Sequence, residues 1–468
     1  MFGLEASLSI VLVLCLLCAL AFEFINGFHD TANAVATVIY TNSLKPMQAV
    51  VWSGIWNFIG VLTGGISVAM GIINILPIST LLDPDITHSI SLVLAILFTA
   101  IIWNLGTWYL GIPCSSSHTL IGSIIGAGLG YSFIMHGGAD DGVNWGEARK
   151  IGLSLLISPL AGFGFASLMI LVLKTFFKPD NVIFGEPPKG EAPPTWIRAI
   201  LVITCTGVSF SHGSNDGQKG VGLIMLILVS IAPFVFALDE SKDSGLLQSQ
   251  LGKMQTAMAT VDQNPMSAID REKFTQTQAN VTWMASELKQ AGTIQGLPKE
   301  ERFRFRQDIL IMEKLVKDLG KRDRPIIAAA EMKAIKESAA EIDNFTNYAP
   351  RWVAFAVALA LGTGTMVGWK RIVVTIGEKI GKQHLTYAQG ASAELVAATT
   401  IGLASLIGAP VSTTQVLSSG IAGTMVASNG LGNLQGGTIR NIAIAWLLTF
   451  PVCLTLGSGL FLLLRWLL

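Results

Sequence analysis

Two polar motifs interrupt apolar runs that are long enough to span a membrane. The first, Phe24–Ala34, reads FINGFHDTANA, and the second, Phe210–Gly220, reads FSHGSNDGQKG. Asp216 lies 186 positions after Asp30, so the two motifs carry an aspartate at matching places. An ionisable group at the centre of a membrane helix costs about 2.5–3.5 kcal/mol, which makes each aspartate a candidate functional residue. A glycine shortly before each aspartate predicts a break in each helix that would turn backbone groups toward a cavity.

The side chains around the two aspartates are suited to binding a cation. Carboxylate, amide and carbonyl oxygens are hard ligands, which favour Na⁺, Mg²⁺ or Ca²⁺ over soft metals. The imidazoles beside them can carry protons. The alternative is that each aspartate only caps the helix that follows the break. The predicted cation-coupling residues are Asp30, Asp216, Asn26, Asn33 and Asn215, the predicted metal ligands are Asp30 and Asp216, and the predicted proton carriers are His29 and His212.

Two clusters of hydroxyl residues follow prolines in a second pair of matching stretches. Gly111–Gly126 reads GIPCSSSHTLIGSIIG, and Gly408–Gly423 reads GAPVSTTQVLSSGIAG, with Ser412 lying 297 positions after Ser115. A proline followed by hydroxyl residues is typical of a helix N-terminus, whose unpaired amides and positive dipole end attract anions. Neither stretch contains Arg or Lys. We therefore expect two helix N-termini to bind one anion, whose charge is neutralised by helix dipoles and a co-bound cation.

The two spacings indicate an internal repeat with an insertion. They differ by 111 positions, and the segment 239–349, which holds 16 of the 31 basic and 17 of the 31 acidic residues, is itself 111 residues long. We therefore interpret this segment as a soluble helical insert in the second copy of a repeat. The predicted domains are a first membrane repeat over 1–177, a connector over 178–195, the start of a second membrane repeat over 196–238, the insert over 239–349, and the remainder of the second repeat over 350–468.

Composition indicates that the chain outside the insert consists of membrane helices. Of the 468 residues 51% are hydrophobic and 13% charged, and the 48 glycines fit tightly packed helices. Zero formal net charge argues against nucleic-acid binding, and the five cysteines have no metal-binding spacing. The predicted fold is an all-α polytopic membrane protein of two inverted repeats with broken helices and re-entrant hairpins, in about ten to twelve membrane segments. The candidate segments are 6–40, 47–76, 89–111, 115–136, 148–177, 196–216, 217–238, 350–368, 390–409, 412–428 and 438–464, of which 115–136 and 412–428 are each predicted to be a hairpin or a half-helix that dips into the membrane.

At these motifs the sequence resembles the inorganic phosphate transporter (Pit) family, in its bacterial low-affinity type. NGFHDTANA, SHGSNDGQKG, GIPCSSSHT and GAPVSTT carry the resemblance, which covers nearly all of the chain outside the insert. It implies that Asp30 and Asp216 couple transport to a cation and that Glu394 is a functional acid. The chain departs from the family at Asn57, where Na⁺-coupled relatives carry Glu, and at Gln415, where relatives often have His, which favours proton or metal-phosphate coupling. The implied phosphate ligands are Ser115, Ser116, Ser117, Thr119, Ser412, Thr413 and Thr414.

The resulting prediction is a secondary active transporter, not an enzyme, that takes up inorganic phosphate by alternating access, as metal-phosphate with H⁺. The sequence contains no GxxxxGK[ST] nucleotide-binding motif, which argues against a primary pump. The alternatives are a Na⁺-coupled phosphate symporter, a sulfate permease on the same scaffold, and an anion channel. We expect no tightly bound cofactor, and we expect H⁺, Mg²⁺, Ca²⁺ or Na⁺ as co-transported ions. Membrane lipid and a second copy in a homodimer are the predicted partners, and a multi-pass location in a bacterial inner membrane is predicted.

Overall fold

The computed structural model describes residues 4–468 except 82–84, 137, 139–141, 179, 189 and 322–325, and it leaves out the side chains of 31–33, 78–79, 136, 376 and 378. Within these limits the chain is helical, with one isolated antiparallel bridge between Gly381 and Leu434 and no strand. The predicted all-α class is therefore confirmed. The α-helices are α1 Ala6–Tyr40, α2 Pro46–Thr63, α3 Ser67–Ile73, α4 Ile78–Leu81, α5 Ile86–Tyr109, α6 Ser116–His136, α7 Trp145–Phe176, α8 Thr195–Ile231, α9 Ser244–Ala259, α10 Ala268–Ala291, α11 Lys299–Gly320, α12 Ala329–Asp343, α13 Arg351–Thr365, α14 Lys370–Glu378, α15 Tyr387–Leu406, α16 Thr413–Asn429 and α17 Gly436–Leu467.

The chain folds as two compact units. One consists of Ile231–Tyr348 with the first residues of the chain, and the other comprises Ala6–Ser230 and Ala349–Leu468. The charged segment 239–349 predicted as an insert falls almost entirely within the first unit. We call the first unit the insert unit and the second the membrane unit.

Several helices of the membrane unit are long and apolar enough to cross a membrane. In the described residues α1, α5, α6, α7 and α17 meet this test by length and composition, and α2 with α3 adds a sixth span if the two are one segment bent by 75°. The predicted ten to twelve segments are more numerous because that prediction also included helices that are shorter or more polar. The apolar exterior and the several spans agree with the predicted polytopic class.

The two motif helices are continuous, so the predicted breaks at the motif glycines are wrong. The first motif lies inside the 35-residue α1, and the second lies inside the 37-residue α8, which also joins the predicted segments 196–216 and 217–238. A Cβ on Gly27 would meet the carbonyl oxygen of Leu361 at 2.3 Å, and one on Gly213 would meet that of Asn57 at 2.2 Å. These glycines therefore allow neighbouring helices to approach closely, which is their common use in membrane bundles.

Two helical hairpins carry the hydroxyl clusters at their tips. α5 packs against α6, and α15 packs against α16. Each tip begins with a left-handed glycine after the first helix, Gly111 with φ +66° and Gly408 with φ +72°, which only glycine adopts without strain. The second helix of each hairpin then starts at a serine N-cap, Ser115 before α6 and Ser412 before α16. Both N-caps are buried, so both helix N-termini point into the interior of the membrane unit.

The insert unit is a four-helix arrangement with its own core. α9 and α11 each pack against both α10 and α12, around buried side chains that include Leu247, Phe274 and Phe305. The buried Arg306 joins the segment by which the chain enters this unit to the segment by which it leaves. Its Nη1 donates to the carbonyl oxygens of Ala237 at 3.1 Å and Thr346 at 3.2 Å. The buried apolar residues of α11 recur at helical spacing and form the face that it turns toward this core.

Candidate functional site

The Asp30 carboxylate lies between the two hairpin tips. Its Oδ2 accepts a hydrogen bond from Ser116 Oγ at 2.8 Å, and its Oδ1 accepts one from Thr414 Oγ1 at 2.8 Å. His29 Nδ1 lies 3.0 Å from Oδ1, and His29 Nε2 lies 3.3 Å from Thr107 Oγ1. A buried anion therefore sits against hydroxyl donors at the N-termini of α6 and α16, where the helix dipoles stabilise negative charge.

The Asp216 carboxylate faces a lysine of its own helix. Lys219 Nζ donates to Asp216 Oδ1 at 2.6 Å, to Ser117 Oγ at 2.6 Å and to the carbonyl oxygen of Val411 at 2.7 Å. Ser117 Oγ also donates to that carbonyl at 2.9 Å, so α6 and the second hairpin tip meet directly. His212 Nδ1 lies 3.1 Å from Thr413 Oγ1 and 3.5 Å from Asp216 Oδ2.

Asp30, His212 and Asp216 come together in one buried cluster. Each offers one ligand atom, and these atoms lie within 4.8 Å of one another. The two aspartates of the repeated motif are therefore neighbours, although 186 positions separate them. All three residues are buried, so charge placed among them is screened little by solvent. We call Asp30, His212 and Asp216 the acid cluster.

Polar atoms of this region lack hydrogen-bond partners among the described residues. Asn26 Oδ1 and His212 Nε2 are buried without a hydrogen-bond partner, and Asp216 Oδ2 has only the 3.5 Å contact with His212 Nδ1. Glu23 is buried beside them and interacts with Asn26. Buried polar atoms are seldom left without a partner, so such a group of unpaired acceptors marks a place for an ion, a proton or water. Carboxylate and amide oxygens with an imidazole nitrogen form a donor set that a divalent cation accepts.

Lys219 overturns one expectation from the sequence. No Arg or Lys belongs to the hydroxyl stretches, and we inferred that no cationic side chain serves the anion site. The ammonium of Lys219 nevertheless reaches Ser117 from the neighbouring helix α8, because the tip of the first hairpin packs against that helix. Lys219 also pairs with Asp216, three positions earlier on the same helix.

The remaining predicted hydroxyl ligands serve their own helices. Ser115 and Ser412 are N-caps that accept from the backbone amides of the residues three positions later, each at 3.2 Å. Thr119 Oγ1 donates to the carbonyl oxygen of Ser115 at 3.0 Å, inside α6. His118 Nδ1 lies 2.7 Å from Ser115 Oγ. These contacts shape the tips and leave Ser116, Ser117, Thr413 and Thr414 nearest the acid cluster.

Other predicted cation ligands lie elsewhere or have structural partners. The Asn215 amide donates to Ser405 Oγ at 3.1 Å and to the Ala409 carbonyl at 3.2 Å, and its Oδ1 accepts from the Val411 amide at 3.3 Å, which ties the second tip to α8. The side chain of Asn33 lies outside the described residues.

Glu394 is a buried acid away from the cluster. Its Oε2 accepts from Thr204 Oγ1 at 2.6 Å, and the carboxylate also interacts with Thr37. Thr204 precedes Asp216 by twelve positions on α8, which corresponds to about 18 Å along a helix with a rise of about 1.5 Å per residue. Glu394 therefore does not complete the acid cluster, and its role as a coupling acid stays a prediction.

Sequence reasoning did not assign Glu23, Thr107 or Val411 to the site. Glu23 is fully buried, and a Cβ on Gly220 would come within 2.5 Å of its carboxyl carbon, one residue beyond Lys219. A glutamate inside an apolar run was the available signal for Glu23. Thr107 and the Val411 carbonyl gave none, because a hydroxyl or backbone group enters a site only through tertiary contacts.

Comparison with known proteins places these motifs in a family. The model of the phosphate transporter family matches residues 26–457. The chain is 40% identical to the low-affinity inorganic phosphate transporter PitB of Escherichia coli (strain K12), over 98% of this chain and 97% of the relative, and 39% identical to PitA of the same strain with the same coverage. A solved structure titled "The sodium-dependent phosphate transporter" matches 98% of this chain and 100% of its own with a TM-score of 0.54 and 19% identity, a likeness of fold.

Proposed function

Because the chain belongs to the phosphate transporter family, we propose that it takes up inorganic phosphate as a complex with a divalent cation, in symport with a proton. Membership confirms the resemblance seen in the motifs and makes the chain a multi-pass phosphate transporter of the bacterial inner membrane, not an enzyme. The cargo metal and the proton are our proposal. The observation that carries it is the pair of hydroxyl donors, one from each hairpin tip, on the carboxylate of Asp30.

These hydrogen bonds give a physical reason for coupled binding. Ser116 and Thr414 are the donors that a phosphate between the tips would use, but both hydroxyls already donate to the Asp30 carboxylate. A cation bound by Asp30 and Asp216 competes with the hydroxyls for the carboxylate oxygens. It therefore frees the hydroxyls to donate to phosphate and supplies positive charge beside it. Binding of the cation then favours binding of phosphate, and binding of phosphate favours binding of the cation, which is the reciprocity that coupling requires.

The charge of the cluster supports a neutral cargo. When His29 and His212 are neutral, Asp30 and Asp216 carry two formal negative charges and Lys219 one positive charge, which leaves one net negative charge in this region. A free phosphate dianion would be repelled by that charge, whereas a divalent metal cancels the charge of the dianion. A proton that moves with the neutral complex makes uptake electrogenic, and an inside-negative potential then contributes about 2.3 kcal/mol per 100 mV. His29 and His212 are the proposed proton carriers.

Alternating access is the proposed transport step. The two hairpin tips meet at Ser117 and Val411, and the acid cluster lies beside them. Separation of the tips on one side at a time would open the site to each side in turn, as in transporters built from two related halves. The inverted arrangement of the halves, contact with lipid and a homodimer belong to this proposal.

Sodium coupling is the second candidate. The structural relative is titled a sodium-dependent transporter, and its 19% identity carries the fold alone to this chain. Oxygen ligands at Asp30 and Asp216 would also accept Na⁺. The two candidates differ in the ion on which uptake depends.

The test is uptake of radioactive phosphate into liposomes that contain the purified protein. Proton gradient, Mg²⁺ and Na⁺ are varied one at a time at constant ionic strength. We expect uptake to require Mg²⁺ or Ca²⁺, to rise with an inward proton gradient, and to be the same in Na⁺ and choline. Uptake that needs Na⁺ and ignores divalent metal would support the second candidate instead. Inhibition by excess sulfate as strong as by phosphate would point to a sulfate permease.

A further inference from the structure

The ammonium of Lys219 is bound in the manner of a metal cation. Its three acceptors are a carboxylate oxygen of Asp216, the hydroxyl oxygen of Ser117 and the backbone carbonyl oxygen of Val411, at 2.6–2.7 Å. They come from three parts of the fold: α8, α6 and the loop before α16. The three N–H groups of an ammonium are thereby all used, and the residue is only 3% exposed.

We propose that Lys219 is a tethered cation, which occupies at the hairpin tips the position that a free Na⁺ would otherwise fill. Carboxylate, hydroxyl and carbonyl oxygens are the ligands that hard metal ions take, and an ammonium is a compact point charge that can replace such an ion. A charge carried on the chain does not have to be bound and released in each cycle. Phosphate uptake by this protein is therefore independent of Na⁺. The inference rests on the proposed phosphate symport and names its ion requirement.

The internal repeat supports this assignment. Lys219 lies 186 positions after Asn33, the same spacing that relates Asp216 to Asp30. The first motif thus has a neutral amide where the second has an ammonium, so only one copy carries its own cation. The substitution Lys219→Asn places the residue type of the first copy in the second.

The charged and titratable groups around Lys219 make the substitution informative. Asp216 contacts the ammonium, His212 and Asp30 complete the acid cluster, and Glu23 adjoins the next residue, Gly220. Without the ammonium, the acids Asp216, Asp30 and Glu23 lie in one buried region in which no other lysine or arginine of the described residues forms an ion pair with them. Such a site attracts a small free cation, and the oxygens of Ser117 and Val411 remain to bind it.

The transport experiment compares four purified proteins in liposomes: wild type, Lys219→Asn, Lys219→Arg and Lys174→Asn. Lys174 is the matched control. Its ammonium also donates to backbone carbonyls, those of Ala427 and Ser428, and it lies away from the acid cluster. Phosphate uptake is measured in Na⁺ or choline at fixed pH, Mg²⁺ and ionic strength. We expect Na⁺ to raise uptake by Lys219→Asn about tenfold, within the usual range for coupling between two ligands. Na⁺ should leave wild type and Lys174→Asn unchanged, and any uptake retained by Lys219→Arg should be Na⁺-independent.

A binding measurement covers the case in which Lys219→Asn does not transport. The unfolding temperature of each purified protein is followed while Na⁺ replaces choline, since an ion that binds only the folded state raises that temperature. Stabilisation of Lys219→Asn by Na⁺, absent in wild type, supports the tethered cation. Equal response of the two proteins to Na⁺ overturns it and leaves Lys219 as a structural ion pair. A failure of the proposed symport would instead appear as wild-type uptake that ignores divalent metal, and neither Na⁺ comparison depends on that result.

Discussion

At the scale of single residues, the site is defined by which atoms the two aspartates contact. Asp30 takes hydroxyl hydrogen bonds from both hairpin tips, whereas Asp216 takes the ammonium of Lys219. Residues at matching positions of the repeat thus have different partners. The motifs and their spacing could be read from the sequence, and so could the burial of the acids. The contacts of Lys219 with Ser117 and Val411 could not, because they depend on how three separate elements pack.

Removing the charge of either aspartate should stop uptake. Asp30→Asn and Asp216→Asn keep the size of the side chain and its ability to accept hydrogen bonds, but they remove a ligand charge from the acid cluster. We expect phosphate uptake into liposomes to fall at least about a hundredfold, which corresponds to about 2.7 kcal/mol, while elution from a size-exclusion column stays that of wild type. Normal uptake in either folded variant would contradict the coupling role.

The hydroxyls on Asp30 should matter for phosphate affinity. Ser116→Ala and Thr414→Val each delete a donor to a charged group, and a hydrogen bond of this kind contributes about 1.5–3 kcal/mol. We expect the half-saturating phosphate concentration to rise about tenfold or more in each variant. Ser123→Ala is the control, because Ser123 Oγ donates at 2.8 Å only to the Leu120 carbonyl of the same helix, α6. A rise of equal size in the control would remove the special role of the tips.

At the scale of elements, glycine is the residue that misled the sequence interpretation. A glycine inside an apolar helix is compatible with a break and with close helix packing, and the two uses have the same local sequence. α1 and α8 are continuous, and Gly27 and Gly213 each face the backbone of another helix. Only the tertiary partner distinguishes the two uses. The hairpin tips were predicted better, since a proline followed by hydroxyl residues specifies a helix N-terminus locally.

Substitution of a packing glycine should therefore destabilise the membrane unit. In Gly27→Ala the new methyl group would meet the backbone oxygen of Leu361, which cannot move away alone. Overpacking of this kind costs about 1–3 kcal/mol, so we expect a lower unfolding temperature in detergent. Gly152→Ala in α7 is the matched control, because nothing lies within 4 Å of the added Cβ, and alanine there should be neutral or stabilising. An equal loss of stability in the two variants would argue against close packing at Gly27.

The insert unit should lose stability as the pH rises. Burial raises the pKa of Asp308 and of Asp343 from 3.8 to about 6, so the folded unit holds protons that the unfolded chain releases near pH 4. Stability then falls as the pH increases from about 4 through 6. Hydrogen exchange of the α10 and α11 amides in the full protein, corrected for intrinsic rates, measures this change. Asp308→Asn, which can still accept from Asn280, should flatten the dependence. Protection of these amides from exchange that increases over the same pH range would contradict the predicted loss of stability.

At the scale of the whole molecule, the insert and the residues of the candidate site belong to two different compact units. The backbone amide of Asp239 donates to the Phe345 carbonyl at 2.8 Å, so the two ends of the insert lie side by side. That 239–349 interrupts the second copy of a repeat stays a prediction from the sequence, which rests on the spacing, since a segment added to one copy changes the spacing by its own length. Its four-helix arrangement and the clamp by Arg306 required the structure, because charge balance and periodicity specify helices without specifying their order in space.

Deletion of the insert should leave transport in place. Replacing 239–349 by a short Gly-Ser linker removes none of the residues of the acid cluster or the hairpin tips, and the neighbouring ends make the join short. We expect phosphate uptake within about twofold of wild type, with the same dependence on divalent metal, in liposomes that contain matched amounts of protein. Loss of uptake in a folded deletion variant would give the insert a part in the transport cycle.

In the proposed transport cycle, a cation held at Asp30 and Asp216 cancels the charge of phosphate. The most direct test is the simultaneous uptake of radioactive calcium and radioactive phosphate by the same liposomes, with wild type beside Asp216→Asn. We expect calcium to enter together with phosphate at a constant ratio in wild type, and both fluxes to disappear in the variant. Phosphate entry at the full rate without any calcium or other divalent metal would contradict it.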